Sequence, residues 1–335
     1  MRPYLEAKSF LVIRRDNIGD MVCTTPLFAA LRAHFPDARI CALANTYNSV
    51  VLDRNPFIDH VYALPADGDL QADASAWQRF YGNLSDLFML REAGFDCVIQ
   101  ASRSTPRRHK VFGRLLGARH YLTRAHDPDV GHEVIRTLVV LNQAGIYSDV
   151  VPPQIFPDPD RVARARALLG EDATDHAPTA VHLSARSLEN RWPREHYREL
   201  IRRAVQNGER VVVLWSPGNR ERLGHPGDDE VAKWLGEELA DLRVTFFRTE
   251  TVADLISVLA VCSNLIACDG GHCHLAAALQ VPVLGLYCDA KVLEWRPWGD
   301  RHRIVSAATV PEIPMEVVWR EFLMLPRMPG REKVA

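Results

Sequence analysis

The chain has 335 residues, enough for two domains of ordinary size, with 47% apolar and 24% charged residues. Lysine and arginine number 40 against 42 acidic residues, a formal net charge of −2, so no global field draws the chain to nucleic acid or anionic membrane. No apolar run approaches the ~20 residues of a membrane span, and the first ten residues hold Glu6 and Lys8 where a signal peptide has its apolar core.

Phe10-Leu11-Val12-Ile13 is a continuous apolar run, the pattern of a strand buried on both faces of a parallel sheet. It leads into Arg14-Arg15-Asp16-Asn17-Ile18-Gly19-Asp20, and Thr24-Thr25-Pro26 then opens or continues a helix reaching His34, with Thr25 before Pro26 reading as a cap and a first-turn proline. Strands are expected at 39–43, 60–64 and 96–100, with a polar helical segment at 71–92. A basic block follows, holding Arg103, Arg107, Arg108, His109, Lys110, Arg114 and Arg119. Next come a short strand at 120–122 and a helix at 132–145. Pro152, Pro153, Pro157 and Pro159 then mark a semi-rigid connector.

The second half repeats the rhythm. Strands are expected at 179–183, 210–215, 243–247, 264–268 and 281–287. Helices are expected at 194–206, 220–239, 251–261 and 316–325, with a frayed tail from Met328. Between the last two strands lies Asp269-Gly270-Gly271-His272-Cys273-His274, where glycines turn a strand into a helix. Such a turn is either a tight corner or an anion site built from bare N–H groups at a helix start.

The seven cysteines, at 23, 41, 97, 262, 268, 273 and 288, are odd in number and contain no C-x-x-C pair, which fits buried reduced thiols. No ligand cluster for a metal stands out, and no cofactor is expected.

Alternating strands and helices of these lengths build parallel, doubly wound α/β sheets with right-handed crossovers. The expected fold is two Rossmann-like domains whose ligands bind outside the carboxyl ends of the strands. On that topology the 14–20 loop and the 269–274 turn face one interdomain cleft. The expected boundaries are 1–150, a proline-rich linker and leading helix at 151–175, a second domain at 176–312, and a helix packing back with its tail at 313–335.

With both loops in view, the sequence resembles the ADP-heptose:lipopolysaccharide heptosyltransferases, glycosyltransferase family nine. The N-terminal likeness is Leu11-Val12-Ile13-Arg14, Ile18-Gly19-Asp20, Thr24-Thr25-Pro26-Leu27 and Phe35-Pro36-Asp37-Ala38. His132-Glu133-Val134, Arg191-Trp192-Pro193 and His196-Tyr197 are similar in the middle. The C-terminal likeness is Asp269-Gly270-Gly271, His274-Leu275-Ala276-Ala277-Ala278 and Val281-Pro282-Val283. The resemblance implies a GT-B fold, an acceptor on the N-terminal domain, an ADP-sugar on the C-terminal domain, and inverting transfer without a metal. It implies a cytoplasmic enzyme, free or peripheral on the cytoplasmic face of the inner membrane.

The resemblance also distributes roles. Asp20 falls on the family's general base, with Asp16 as the fallback; a helix-capping aspartate is the rival reading. Gly19 falls beside it on the acceptor side, where Arg103, Arg107, Arg108 and Lys110 form either a rim for an anionic glycan or glycolipid or a solvated face. Asp269, Gly270, Gly271 and His274 match the donor site. Ser184, Arg186, Ser187, Asn190, Arg191, Glu221 and Glu250 fall in its surrounding loops.

Three departures from the family pattern stand out. Gly270 replaces a usual serine or threonine. His272 replaces an apolar residue and either donates to phosphate or faces solvent. Asn190 replaces a lysine that pairs with donor phosphates, with Arg186 or Arg191 as possible substitutes, since an arginine fork suits phosphate. The leading expectation is heptose transfer from an ADP-sugar to a lipopolysaccharide-core or related acceptor. Its rivals are a GT-B transferase with another nucleotide-sugar or a capsule or secondary-metabolite acceptor, and a non-catalytic binder. A nicotinamide oxidoreductase ranks low because no Gly-x-Gly-x-x-Gly follows the first strand.

Overall fold

The computed structural model describes residues 6–65, 76–102, 113–124, 131–170, 177–218 and 226–328. The chain divides into two compact units, Met1–Phe156 and Pro157–Ala335. No helix among the described residues is long and apolar enough to cross a membrane.

In the first unit, β1 (Ser9–Ile13) is the central strand of a five-stranded sheet. Leu11 lies between Cys41 of β2 (Arg39–Asn45) and Val98 of β4 (Cys97–Gln100), and every pairing is parallel. β3 (His60–Leu64) and β5 (His120–Thr123) close the two edges, in the order β3-β2-β1-β4-β5. Central strands that carry helices on both faces must be apolar throughout, and β4 is fully buried. The edge strand β3 keeps only partial cover. Leu11, Ile13, Leu43, Val98, Phe95 and Leu116 form one core with Leu90 of α2 (Ala76–Ala93).

Helix α1 (Ile18–His34) corrects one expectation. It starts at Ile18 with Asn17 as its cap, so Thr25 is no cap and Pro26 sits inside the helix. Proline lacks the N–H that would bond the Val22 carbonyl one turn back. The Thr25 hydroxyl donates to that carbonyl instead, at 2.8 Å, and accepts the Gln154 backbone N–H at 3.1 Å. The helix expected at 132–145 is α3 (Glu133–Leu138), tightening into a 3₁₀ turn over Val139–Ala144 that ends at Gly145, φ 71°. That left-handed cap suits glycine.

The second unit begins with α4 (Pro159–Leu169), capped by Asp158, whose carboxylate accepts the Asp160 N–H at 2.9 Å. Its sheet holds β6 (Thr179–His182), β7 (Val211–Trp215), β8 (Val244–Arg248), β9 (Asn264–Cys268), β10 (Val283–Cys288) and β11 (Arg303–Ala307). The order is β11-β10-β9-β6-β7-β8, again all parallel. The connecting helices are α5 (Arg194–Gln206), α6 (Asp229–Glu238), α7 (Val252–Leu259), α8 (Gly271–Ala278) and α9 (Asp289–Trp295). Helix α10 (Met315–Leu323) packs its Val318 and Phe322 into the same core as Leu200, Leu235, Ile266 and Leu286.

Three elements depart from expectation. α6 begins at Asp229, and the expected start at 220 lies outside the described residues; just before the helix, Gly227 lies so close to Pro217 and Gly218 that a Cβ there would meet their backbone. α9 and β11 were not anticipated; one is seven residues long and the other an edge strand of mixed polarity. All seven cysteines are free, six buried and Cys288 partly so.

Candidate active site

Each sheet has one point where strand order reverses, between β1 and β4 in the first unit and between β6 and β9 in the second. Crevices at such points are where open α/β sheets bind ligands. The 14–20 loop follows β1 and the 269–274 turn follows β9, so both sequence-derived loops lie at reversal points.

At the first, the amides of Asn45 and Asn48 hold the loop backbone: Asn45 Nδ2 donates to the carbonyls of Arg15 (2.9 Å) and Asp16 (3.0 Å), Asn48 Nδ2 to that of Arg14 (3.3 Å). The Arg14 guanidinium, 1% exposed, gathers three carboxylates. Its Nη2 donates to Asp20 and, at 2.9 Å, to Glu133. Asp16 lies 3.0 Å from Nε, a charge contact without hydrogen-bond alignment. Arg124 Nη2 meets the other Glu133 oxygen at 3.0 Å. Burial pushes the Glu133 carboxyl up, but hydrogen bonding from Arg124 and the charges of both arginines outweigh it and hold the carboxyl below its usual range. Burial likewise opposes the Arg14 charge, and Asp20, Glu133 and Asp16 together more than restore it.

Asp20 is the third residue of α1. Its Oδ2 accepts the Asn17 backbone N–H (3.1 Å) and side-chain amide (3.0 Å), and Oδ1 accepts from Arg14. A carboxylate offers about four lone-pair sites, so one on Oδ1 remains. Asp20 therefore caps its helix and keeps basic capacity at once. Asp16 is the more exposed carboxylate; burial raises its pKa, and Arg14 only partly offsets that. Arg14 and Arg124 against Asp16, Asp20 and Glu133 leave the cluster one negative charge in excess.

At the second reversal point, Asp269 donates its N–H to Leu286 O at 2.9 Å, and Gly270 is extended, φ 174°. α8 starts at Gly271 and places its first N–H groups beside Asp269. Burial pushes the Asp269 carboxyl up to about 6, with Lys291 of α9 pulling the other way. His274 is buried, its ring edge-on to Trp295 at 6.0 Å.

His272 does not face solvent. Its Nε2 donates to Cys268 O at 2.7 Å and its ring stacks on His182, centroids 4.1 Å apart. Burial brings its pKa down to about 4. A neutral imidazole is no phosphate cation.

Ser184 is buried at the start of the loop that follows β6, its Oγ accepting the Ser216 N–H at 3.0 Å. Ser187 caps the short turn at Leu188–Asn190, taking the Asn190 N–H at 3.1 Å. Arg186 is exposed in the same loop.

Arg191, one of the two arginines offered in place of the lysine, is buried and has partners of its own. Its Nε donates to Ala185 O at 3.0 Å, Nη2 to Pro226 O at 3.2 Å, and Nη1 pairs with buried Asp228. The guanidinium is spent on tying the loop to residues 226–228. Trp192 continues that anchor, its indole donating to Ile313 O at 2.9 Å. Asn190 Oδ1 accepts from Cys288 Sγ at 3.1 Å. Glu250 is exposed and paired with Arg248 at 2.8 Å.

Arg103, Arg107, Arg108, Lys110 and Glu221 lie outside the described residues. Gly19 is buried beside Asp20 in the first turn of α1. Sequence reasoning missed Arg124, His182 and Lys291. His182 ends an apolar strand run at a reversal point, a usable signal; Lys291 sits on the helix that was not anticipated.

The sequence profile of glycosyltransferase family 9 (heptosyltransferase) matches residues 109–318. Lipopolysaccharide heptosyltransferase 3 of Escherichia coli K12 is 26% identical over 300 residues, covering 84% of this chain and 83% of its own. The solved E. coli ADP-heptose LPS heptosyltransferase II superposes with TM-score 0.73 at 18% identity, over 94% of this chain and 98% of that one. The E. coli heptosyltransferase WaaC with ADP gives 0.71 at 20%, over 94% and 99%. These likenesses agree on the fold, two parallel α/β sheets of GT-B type.

Proposed function

Because the chain belongs to glycosyltransferase family 9, the heptosyltransferases, we propose that this glycosyltransferase moves a heptose from ADP-heptose onto a lipopolysaccharide-core or related glycan acceptor. Relatives are named as lipopolysaccharide heptosyltransferases, and one solved relative carries ADP.

In this reading, the second unit holds the donor at the 269–274 turn and the first unit holds the acceptor. The acceptor hydroxyl gives its proton to Asp20 while its oxygen attacks the anomeric carbon from the face opposite the diphosphate. The bond from that carbon to the phosphate oxygen breaks, and ADP leaves with the electron pair. One bond forms as one breaks, so the configuration inverts. N–H groups at the start of α8 take the charge growing on the leaving diphosphate, the work a metal does elsewhere.

The observation that carries this reading is Asp20, a carboxylate with one unspent lone-pair site, held at a reversal point by Arg14 and Asn17. It is tested by following ADP release from ADP-heptose with heptose-deficient lipopolysaccharide, with and without EDTA. Acceptor-dependent release that EDTA leaves intact is expected; release that needs added metal overturns the metal-free part.

A second reading, another nucleotide-sugar donor, is favoured by Asn190 and by the internal engagement of Arg191. Thermal stabilisation by UDP compounds and not by ADP compounds establishes it.

A further inference from the structure

Gly270 and His272 each depart from the family pattern, and the structure joins the two departures. A Cβ at position 270 would fall 2.5 Å from His272 Cε1 and 3.0 Å from Nδ1. The Gly270 backbone is extended, a conformation open to any residue, so the ring and not backbone strain demands glycine. His272 occupies the space that a side chain at 270 would fill.

Neighbouring backbone groups fix the protons of the stacked pair. A carbonyl only accepts, so His272 Nε2 carries its proton to Cys268 O. A backbone amide only donates, so His182 Nδ1, 3.3 Å from the Ser184 N–H, is unprotonated and its Nε2 carries the proton. Burial holds both rings neutral. His272 therefore keeps a lone pair on Nδ1, over Gly270. His182 keeps an Nε2–H that is buried and meets no partner among the described residues. That unmet polar atom lies on the ring that braces His272.

We propose that His272 is a specificity-determining residue of the donor site, its Nδ1 replacing a side chain at position 270 and accepting a hydrogen bond from a hydroxyl of the sugar nucleotide. This rests on reading the 269–274 turn as the donor site. Phosphate oxygens carry no proton to give, so Nδ1 turns them away and selects a group that donates. His182 is a positioning residue, holding the ring flat over Gly270.

The test compares wild type, His272→Leu, His272→Gln, Gly270→Ser and the His272→Leu/Gly270→Ser double variant. Binding of ADP and ADP-heptose is measured by calorimetry, and Tm without ligand. His272→Leu weakens ADP-heptose binding about tenfold, the size of one lost hydrogen bond. His272→Gln, which keeps an acceptor, stays within about threefold of wild type. Loss with both ligands assigns the hydroxyl to the ribose, loss with ADP-heptose alone to the heptose. Gly270→Ser lowers Tm when His272 is present and not in the double variant, where the serine hydroxyl recovers most of the affinity. Wild-type affinity in His272→Leu, or an equal Tm cost of Gly270→Ser in both backgrounds, overturns the proposal. If wild type itself binds neither ligand, the ADP-sugar reading falls and takes the proposal with it.

Discussion

Arg14 and Glu133 stand 119 residues apart in sequence, and their side chains meet at 2.9 Å with Asp20 sharing the same guanidinium nitrogen. Glu133 is thus the far anchor of the proposed base: it fixes Arg14, and Arg14 fixes Asp20. Removing one member of a buried ionic cluster costs about 3–5 kcal/mol. Glu133→Gln is expected to lower the unfolding free energy toward that range in urea titration. It is also expected to reduce kcat more than KM, since a displaced Arg14 misplaces Asp20. An unchanged kcat in folded Glu133→Gln removes the positioning role.

Asp20 and Asp16 compete for the role of base, and one pair of variants separates them. Asp20→Asn keeps the volume and loses basicity, so turnover is expected to fall roughly 10²–10⁴-fold, with folding intact by circular dichroism. Asp16→Asn is expected to stay within severalfold of wild type. The reverse pattern makes Asp16 the base, as its greater exposure and raised pKa would allow.

The sheets were legible in the sequence because fully buried parallel strands read as short apolar runs. Asn264–Cys268 and Arg194–Gln206 emerge with the bounds their patterns suggested. Pairings distant in sequence were not legible. Nothing local says that Arg191 spends its guanidinium on Asp228, or that Glu133 reaches Arg14. His272 is the sharpest case, since its burial depends on the side chain that Gly270 lacks and on a ring from β6. Pro26 misled for a local reason: a proline followed by apolar residues looks like a helix start until the Thr25 hydroxyl is seen filling the gap.

Asp269 carries a stability cost with a definite sign. Its carboxyl titrates at about 6 in the fold and near 3.9 when unfolded. The folded state therefore binds the proton more tightly, and stability falls as pH rises from about 4 to about 6. Asp269→Asn is expected to stabilise the ligand-free protein at pH 7.5 by roughly 1–3 kcal/mol, with the gap closing below pH 4. Transfer is expected to be lost. A gap that persists at pH 3.5 means that ionisation is not its source.

Thr25 serves two partners, the Val22 carbonyl orphaned by Pro26 and the Gln154 amide. Thr25→Val preserves shape and leaves both without their hydroxyl, so a loss of about 1–3 kcal/mol is expected. Thr25→Ser is expected to keep most of the stability. Equal unfolding midpoints for Val and Ser would assign the residue's contribution to packing alone.

Asn190 offers a gain-of-function test of the donor. Its side chain is only part-buried and engages Cys288 Sγ, a weak partner whose loss costs little. Arg191 beside it is already paired with Asp228 and cannot lend its charge. Asn190→Lys therefore adds a cation to the loop that the proposed function sets beside the donor diphosphate. If an ADP-sugar diphosphate lies there, affinity for ADP is expected to rise several-fold, since a charge-assisted hydrogen bond contributes about 1.5–3 kcal/mol before the side chain is ordered. The gain is expected to shrink as salt screens it. Measured beside UDP, the variant separates the two donors. A gain for ADP favours the adenine nucleotide, whereas a gain confined to UDP moves the enzyme to another nucleotide-sugar and leaves the fold and the base where they are.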